Sequence, residues 1–261
     1  MKPRQRQTLI QAALYFTLVA VVVLAIVGPD WSRIRLGFFN VDVARRMFPG
    51  ILAVAAKNTI LYTATSFAFG LILGLVLALS KLSTIRPYRW LATVYVEIFR
   101  GLPALVTILL VGFGIPIVFG IRIPGGTLGS ATVGLGIVGA AYMAETIRAG
   151  IEAVPRGQME AARSLGMTHA TAMASIVLPQ AFRIIIPPLT NELVLLIKDT
   201  SLLFVLGTTP VTKETLKFGR DIMNDTFNGT PLTVIAVVYL AITIPMTQLV
   251  AQLERRAARA R

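Results

Sequence analysis

The amino-acid sequence predicts an all-α integral membrane protein with about six transmembrane helices. Of its 261 residues, 55% are hydrophobic and only 14% are charged, whereas soluble globular proteins carry about 25% charged residues. A bilayer core about 30 Å thick is crossed by about 20 apolar helical residues, and several stretches of that length occur. The basic residues are concentrated in alternate segments between these stretches, as in a multi-pass chain.

Six stretches are long and apolar enough to cross a bilayer. The first, residues 9–27, is uncharged and exceeds the hydrophobic region of a secretory signal peptide, which has about 7–15 residues. The least apolar stretch, 184–206, contains Glu192, Lys198 and Asp199 but keeps long apolar flanks. The other four predicted spans are residues 52–79, 101–119, 128–144 and 232–253.

The positive-inside rule orients the chain. If the N-terminus is cytoplasmic, the inner segments hold fifteen basic residues and the outer segments hold eight. The other two basic residues, Lys57 and Lys198, lie at the membrane edge or inside the membrane and bring the total to 25. We therefore predict that both termini are cytoplasmic. The fifteen are Lys2, Arg4, Arg6, Lys81, Arg86, Arg89, Arg100, Arg148, Arg156, Arg163, Arg183, Arg255, Arg256, Arg259 and Arg261.

The net charge of +13 is thus explained by topology and by attraction to anionic membrane lipids, and nucleic-acid binding is not predicted. The outer segment between the first two spans carries four arginines. Its residues 41–48 can form a short interfacial helix that places Arg45 and Arg46 among the lipid headgroups.

Composition argues against metal and nucleotide chemistry in this chain. There is no cysteine and only one histidine, His169, so thiolate ligands and a histidine cluster are excluded. No Gly-x4-Gly-Lys-Ser/Thr loop is present to cradle ATP phosphates. We predict no metal, no cofactor and no catalytic residue, and expect any ATP and Mg²⁺ to be bound by another chain.

The inner segment of about residues 150–183 predicts a helix-turn-helix. Pro155 marks the start of the first helix and Gly166 its end, Thr168 is suited to cap the second helix, and Pro179 is expected to end it. Ala161, Ala162 and Leu165 would form a small surface beside Glu160 and Arg163. That surface fits either the docking of a partner protein or an amphipathic loop lying on the membrane.

The spacing of this segment resembles the EAA loop of permease subunits in bacterial binding-protein-dependent ABC importers. Neighbouring segments, such as residues 145–150, 178–183 and 198–202, are similar to the polar amino acid permeases. Leu102 departs from the threonine more often found in the Arg-Gly-x-Pro segment, which affects only fine substrate assignment. The residues that carry the loop resemblance are Glu160, Ala161, Ala162, Gly166, Ile176, Leu178 and Pro179.

The resemblance implies a membrane-spanning permease subunit of an importer for polar or charged amino acids in the bacterial inner membrane. It implies a type I ABC importer core of five helices in residues 50–253, with residues 1–49 contributing a basic tail, an extra helix and an outer loop, and residues 254–261 a second basic tail. The implied partners are cytoplasmic ABC ATPase subunits, seated on the 160–166 turn, an extracytoplasmic amino acid binding protein, and a second copy of the permease or a sister permease.

Charged residues inside a span usually face a cavity or pair with each other because their insertion is costly. Lys198 and Asp199 can compensate each other, locally or across a dimer, and Thr200 and Ser201 can satisfy backbone groups if the helix breaks there. Glu192 lies seven residues before Asp199, on the same helical face as Leu195. A translocation pathway and a structural ion pair both explain this pattern; the candidate pathway residues are Asn191, Glu192, Lys198, Asp199, Thr200 and Ser201.

Two further pairs of opposite charge are spaced three residues apart. Glu97 with Arg100, and Glu145 with Arg148, are expected to form ion pairs within their helices near the inner membrane edge. His169 is expected to be solvated or to contact the ATPase.

Two other classes of function compete with the importer. A self-contained secondary transporter or channel would usually show internal repeats of its spans, and no repeat is evident. An intramembrane enzyme would have to use Lys198 with Ser201, but no group nearby resembles an oxyanion site.

Overall fold

The computed structural model describes residues 3–259, and these residues form helices without a strand. Lys2 and Arg261 from the topology count lie outside the described residues, and the side chains of Arg4, Arg6, Arg256 and Arg259 are not described either. The helices are α1 (Pro3–Val27), α2 (Trp31–Phe38), α3 (Val41–Met47), α4 (Ile51–Leu82), α5 (Arg86–Gly101), α6 (Ala104–Phe119), α7 (Gly126–Glu152), α8 (Arg156–Ser164), α9 (His169–Val205), α10 (Thr215–Thr226) and α11 (Thr230–Arg259).

Five of these helices are long and apolar enough to cross a membrane by themselves: α1, α4, α7, α9 and α11. The sixth predicted span, residues 101–119, is shorter than expected because the helix begins only at Ala104. Helices α5 and α6 meet the criterion only together, and they are bent by 108° at the break between Gly101 and Ala104. Proline at 103 has no N–H to continue the ladder of α5, which explains a break at this point.

Small residues bring α4 and α7 into close contact. A Cβ atom added to Gly74 would lie 3.0 Å from the Ala140 carbonyl oxygen, and one added to Gly70 would lie 3.2 Å from the Gly136 carbonyl oxygen. Within a membrane, such small residues let backbones approach and gain van der Waals contact. Helix α7 also contacts α5, α6 and α9, so α7 is the central helix of the described chain.

The two ends of this helix assembly differ. The ends of α4 and α7 at Leu82 and Glu152 lead to α5 and α8, and we call this side the loop face because it carries residues 153–168. The starts of α4, α7 and α11 lie at the other end, which we call the far face. There the first turns of α4 hold the segment before α10: the Tyr62 hydroxyl donates to the Thr212 carbonyl (2.6 Å), and the Thr59 and Thr215 hydroxyls are 2.8 Å apart.

Glu214 is fully buried in this far-face segment. Its carboxyl group accepts hydrogen bonds from the backbone N–H groups of Leu216 (2.5 Å) and Lys217 (2.6 Å), which caps α10, and from the Tyr239 hydroxyl (3.4 Å). Burial raises the pKa of Glu214 to about 7 because desolvation outweighs these hydrogen bonds. The protonated carboxyl is therefore favoured in the folded state.

The close contact of α4 and α7 predicts that Gly74→Leu destabilises the protein. A side chain there must displace the α7 backbone, and overpacking of this kind costs about 1–3 kcal/mol. We expect a lower thermal midpoint in detergent than for Gly157→Leu, since a Cβ atom at Gly157 meets nothing within 4 Å. Equal midpoints for the two variants would contradict this account of the contact.

The buried carboxyl predicts a pH dependence. Because the pKa of Glu214 is raised from 4.5 to about 7 on folding, the unfolded state loses this proton first as pH rises, so stability falls from about pH 4.5 to about pH 7. Glu214→Gln should flatten the fall of the thermal midpoint with pH in this range. Asp225→Asn, at an exposed position of α10, should leave that fall unchanged. The prediction is wrong if the thermal midpoint falls with pH equally steeply in the wild type and in Glu214→Gln.

Candidate functional sites

The turn after α8 has the geometry of a Schellman motif. Gly166 has a φ of +84°, its N–H donates to the Arg163 carbonyl (3.1 Å), and the Met167 N–H donates to the Ala162 carbonyl (3.2 Å). Glycine is favoured at such a left-handed position because it has no Cβ atom. Gly166 is thus the helix end that the sequence predicts.

The exposed surface of α8 differs from the predicted one in one residue. Leu165 is 84% exposed, but Ala162 is only 5% exposed and faces the interior. The expectation that Ala162 forms part of the exposed surface is therefore wrong: its small side chain lets α8 pack against the start of α9. The surface available to a partner consists of Glu160, Ala161 and Leu165, which are all exposed.

The second helix of the loop begins as predicted but does not end at Pro179. The Thr168 hydroxyl accepts a hydrogen bond from the Thr171 N–H (3.2 Å), and α9 then continues to Val205. A π-helical turn at Met173–Val177 precedes the proline and places it in the first turn of the next α-helical segment, where its missing N–H interrupts no ladder. Ile176 and Leu178 are half-buried, whereas Pro179 and His169 are exposed.

A cavity lies where the α5–α6 break meets the middle of α7 and the second half of α9. Its volume is about 230 Å³. Most of its wall is apolar, and the two carboxylates of Glu192 and Asp199 are its charged groups. Its lining consists of Leu102, Ala104, Leu135, Val138, Gly139, Tyr142, Glu192, Leu195, Leu196 and Asp199.

The predicted local compensation of Lys198 and Asp199 is not formed. The described residues contain no salt bridge between them, because consecutive residues of a helix do not face each other. Lys198 is exposed, whereas Asp199 lines the cavity together with Glu192 and Leu195. The spacing of seven residues thus places both carboxylates at one cavity, as the helical periodicity predicts.

The α-helical part of α9 ends at Asp199 and tightens into a 3₁₀ turn at Thr200–Val205. The hydroxyl of Thr200, which is fully buried, donates to the Ile197 carbonyl (2.6 Å). Thr200 therefore satisfies a backbone group at the change of helix type, as the sequence suggests. Ser201 is half-buried, and Asn191 is exposed outside the cavity lining.

The pair expected between Glu97 and Arg100 is also not formed among the described residues. Glu97 is exposed, while the Arg100 guanidinium lies over the Tyr142 ring, 5.6 Å from its centroid. Tyr142 itself lines the cavity together with Glu192 and Asp199. Arg100 therefore lies beside the cavity, because the Tyr142 ring that it contacts is part of the cavity lining.

The second predicted pair is present within a larger network. The Arg148 Nε donates to Glu145 Oε1 (3.0 Å), and Lys81 of α4 donates to Glu145 Oε2 (2.8 Å). Arg148 also bonds Glu152 one turn later. These four charges sum to zero, so the network connects α4 to α7 near the loop face without leaving a net charge there.

The sequence gives no signal for several residues of these sites. Tyr142 and Lys81 join them only through contacts between distant segments, and Glu214 is one acidic residue among many. Glutamate is also not among the residues preferred at a helix N-cap, so the sequence does not mark Glu214 as the cap of α10. The part of the chain that the structure describes contains no group of three or more His, Cys, Asp or Glu residues suited to a metal ion.

Residues 70–259 match a protein family described as the inner membrane component of binding-protein-dependent transport systems. This match includes the cavity, the 156–168 loop, the second half of α4 and the spans after it.

Curated relatives and solved structures show the same similarity. The chain is 39% identical over 207 residues to the probable glutamine ABC transporter permease GlnM of Bacillus subtilis, covering 76% of this chain and 89% of that protein. It is 36% identical over 206 residues to the arginine transport permease ArtQ of the same organism, covering 78% and 90%. A crystal structure of an amino acid ABC transporter with histidines has a TM-score of 0.73 and 36% identity, covering 82% of this chain and 96% of that chain.

Proposed function

The chain belongs to the family of inner membrane components of binding-protein-dependent transport systems, and we propose that it forms the translocation pathway of an ATP-driven importer for polar or charged amino acids. The observation that carries the proposal is the cavity that places Glu192 and Asp199 beside a break in the helices. Irregular backbone and carboxylates are tolerated at membrane depth where they line a pathway.

The cavity matches the two charged groups that every amino acid shares. Glu192 and Asp199 would accept hydrogen bonds from an ammonium group, and charge-assisted bonds of this kind are the stronger ones. Arg100, held over the Tyr142 ring, would face the carboxylate. The remainder of the lining is uncharged. It leaves room for the side chain of the amino acid and supplies no further charged partner for it.

The 156–166 loop would seat on a separate ATPase subunit. Leu165 projects from a rigid Schellman turn, and Glu160 and Ala161 flank it, which gives a compact surface with an apolar tip. ATP and Mg²⁺ would be bound by that ATPase, and this chain would hydrolyse nothing.

The loop face would then be cytoplasmic, together with both termini, and the far face would receive an extracytoplasmic binding protein loaded with an amino acid. A second permease copy, or a sister permease, would complete the pathway. Family membership favours this importer over the self-contained secondary transporter or channel.

The coupling role predicts a difference between two substitutions at one position. Gly166→Val should strain the left-handed turn by about 1–2 kcal/mol and displace Leu165, whereas Gly166→Asn should be tolerated since asparagine adopts this conformation. With the ATPase and the loaded binding protein in proteoliposomes, stimulated ATP hydrolysis should fall for Gly166→Val and for Glu160→Lys, but persist for Gly166→Asn. Wild-type stimulation in all three variants would exclude the loop as the docking surface.

The pathway role predicts a loss of uptake without a loss of coupling. Glu192→Gln and Asp199→Asn each remove one charged acceptor, and a hydrogen bond to a charged group contributes about 1.5–3 kcal/mol, so amino acid uptake should fall about tenfold or more. Stimulated ATP hydrolysis should remain. Lys198→Gln is the matched control, since Lys198 is exposed and does not line the cavity; the assignment is wrong if its uptake falls as far as that of the carboxylate variants.

A further inference from the structure

A second cavity, an open groove, lies on the far face between α3 and the first turn of α11, away from the proposed pathway. Its volume is about 430 Å³. Aromatic and aliphatic side chains form most of its wall, and they stay exposed although they adjoin one another. The groove is lined by Phe38, Phe39, Asn40, Val41, Ala44, Arg45, Phe48, Thr230, Thr233 and Val234.

The apolar wall is unusually open to its surroundings. Phe38, Phe39, Val41 and Phe48 are each between 46% and 60% exposed. A contiguous apolar patch of this kind normally marks a surface that an apolar ligand or partner covers. The occupant therefore has to supply apolar surface.

Arg45 is the charged residue of the groove lining. Several polar groups beside it are already bonded within the chain: the Asn40 side-chain oxygen accepts from the Asp42 and Val43 N–H groups, and the Asn40 N–H donates to the Thr230 hydroxyl (2.9 Å). Arg33 pairs with Asp30, but among the described residues Arg45 has no salt bridge. The occupant that complements the groove is therefore apolar along its body and anionic at one end.

The groove adjoins the start of one of the candidate membrane spans. Thr230 is the first residue of the α11 span, and Thr233 and Val234 follow within one helical turn, about 5.4 Å further along the helix. The headgroup layer on each side of a bilayer is about 5–7 Å thick. Helix α3 contacts α11, which favours the interfacial position that its sequence predicts.

We propose that this groove binds one anionic phospholipid of the leaflet at the far face, with an acyl chain along the aromatic wall and the phosphate on Arg45. A second copy of the chain fits less well. A symmetric contact would bring the same patch from each copy together, and the Arg45 side chains would then face each other without a carboxylate in the lining.

Native mass spectrometry of the purified full-length protein tests this with phosphatidylglycerol and phosphatidylcholine that have identical acyl chains. The wild type should bind phosphatidylglycerol about fivefold more tightly, the factor that corresponds to the ~1 kcal/mol of one basic residue near an anionic membrane surface. Arg45→Gln should abolish this preference. Arg46→Gln removes the same charge from the next position of α3, outside the lining, and should keep it.

Two further measurements separate the lipid from other occupants. Ala44→Trp, which fills the groove, should weaken the binding of both lipids, and glycerophosphoglycerol, the headgroup without acyl chains, should not compete. Equal effects of Arg45→Gln and Arg46→Gln, or competition by the free headgroup, would overturn the proposal. So would efficient cross-linking between two copies of a Val41→Cys variant in lipid nanodiscs, which is a clean test because the wild type has no cysteine.

Discussion

The close contact between α4 and α7 is the interaction on which the rest of the chain depends. Gly70 and Gly74 allow the two backbones to meet along the membrane depth, and the Lys81–Glu145 bond joins the same helices near the loop face. Because lipid tails are as apolar as the side chains, helices in a bilayer associate through packing and hydrogen bonds. Helix α7, held by α4, also contacts α5, α6 and α9, and the cavity forms between α7, α9 and the α5–α6 break.

Helix α9 provides the physical link between the two candidate sites. It starts at His169, directly after the Schellman turn, and reaches Glu192 and Asp199 at the cavity. A displacement of the 156–166 loop can therefore be transmitted to the cavity by one helix. This continuity depends on the π-helical turn at Met173–Val177, which lets the helix proceed through Pro179, where a regular α-helix would break.

The two faces of the chain are held in different ways. The loop face is joined by the neutral network around Glu145, where every charge has a partner. The far face relies on hydrogen bonds from α4 to the segment before α10 and on the buried Glu214. Titration of Glu214 between about pH 4.5 and about pH 7 therefore changes the stability of the far face, whereas the loop face is joined by ion pairs.

The sequence by itself determined the membrane class, five of the six spans, the left-handed turn at Gly166 and the common face of Glu192 and Asp199. These features follow from composition, from helical periodicity and from the conformational range of glycine, which are all local. Only the tertiary structure decided that Ala162 faces inward, that α9 continues through Pro179, and that Arg100 lies over the Tyr142 ring and does not pair with Glu97. The physical reason is that these outcomes depend on which distant segment packs against each residue, and spacing along the chain does not encode that neighbour.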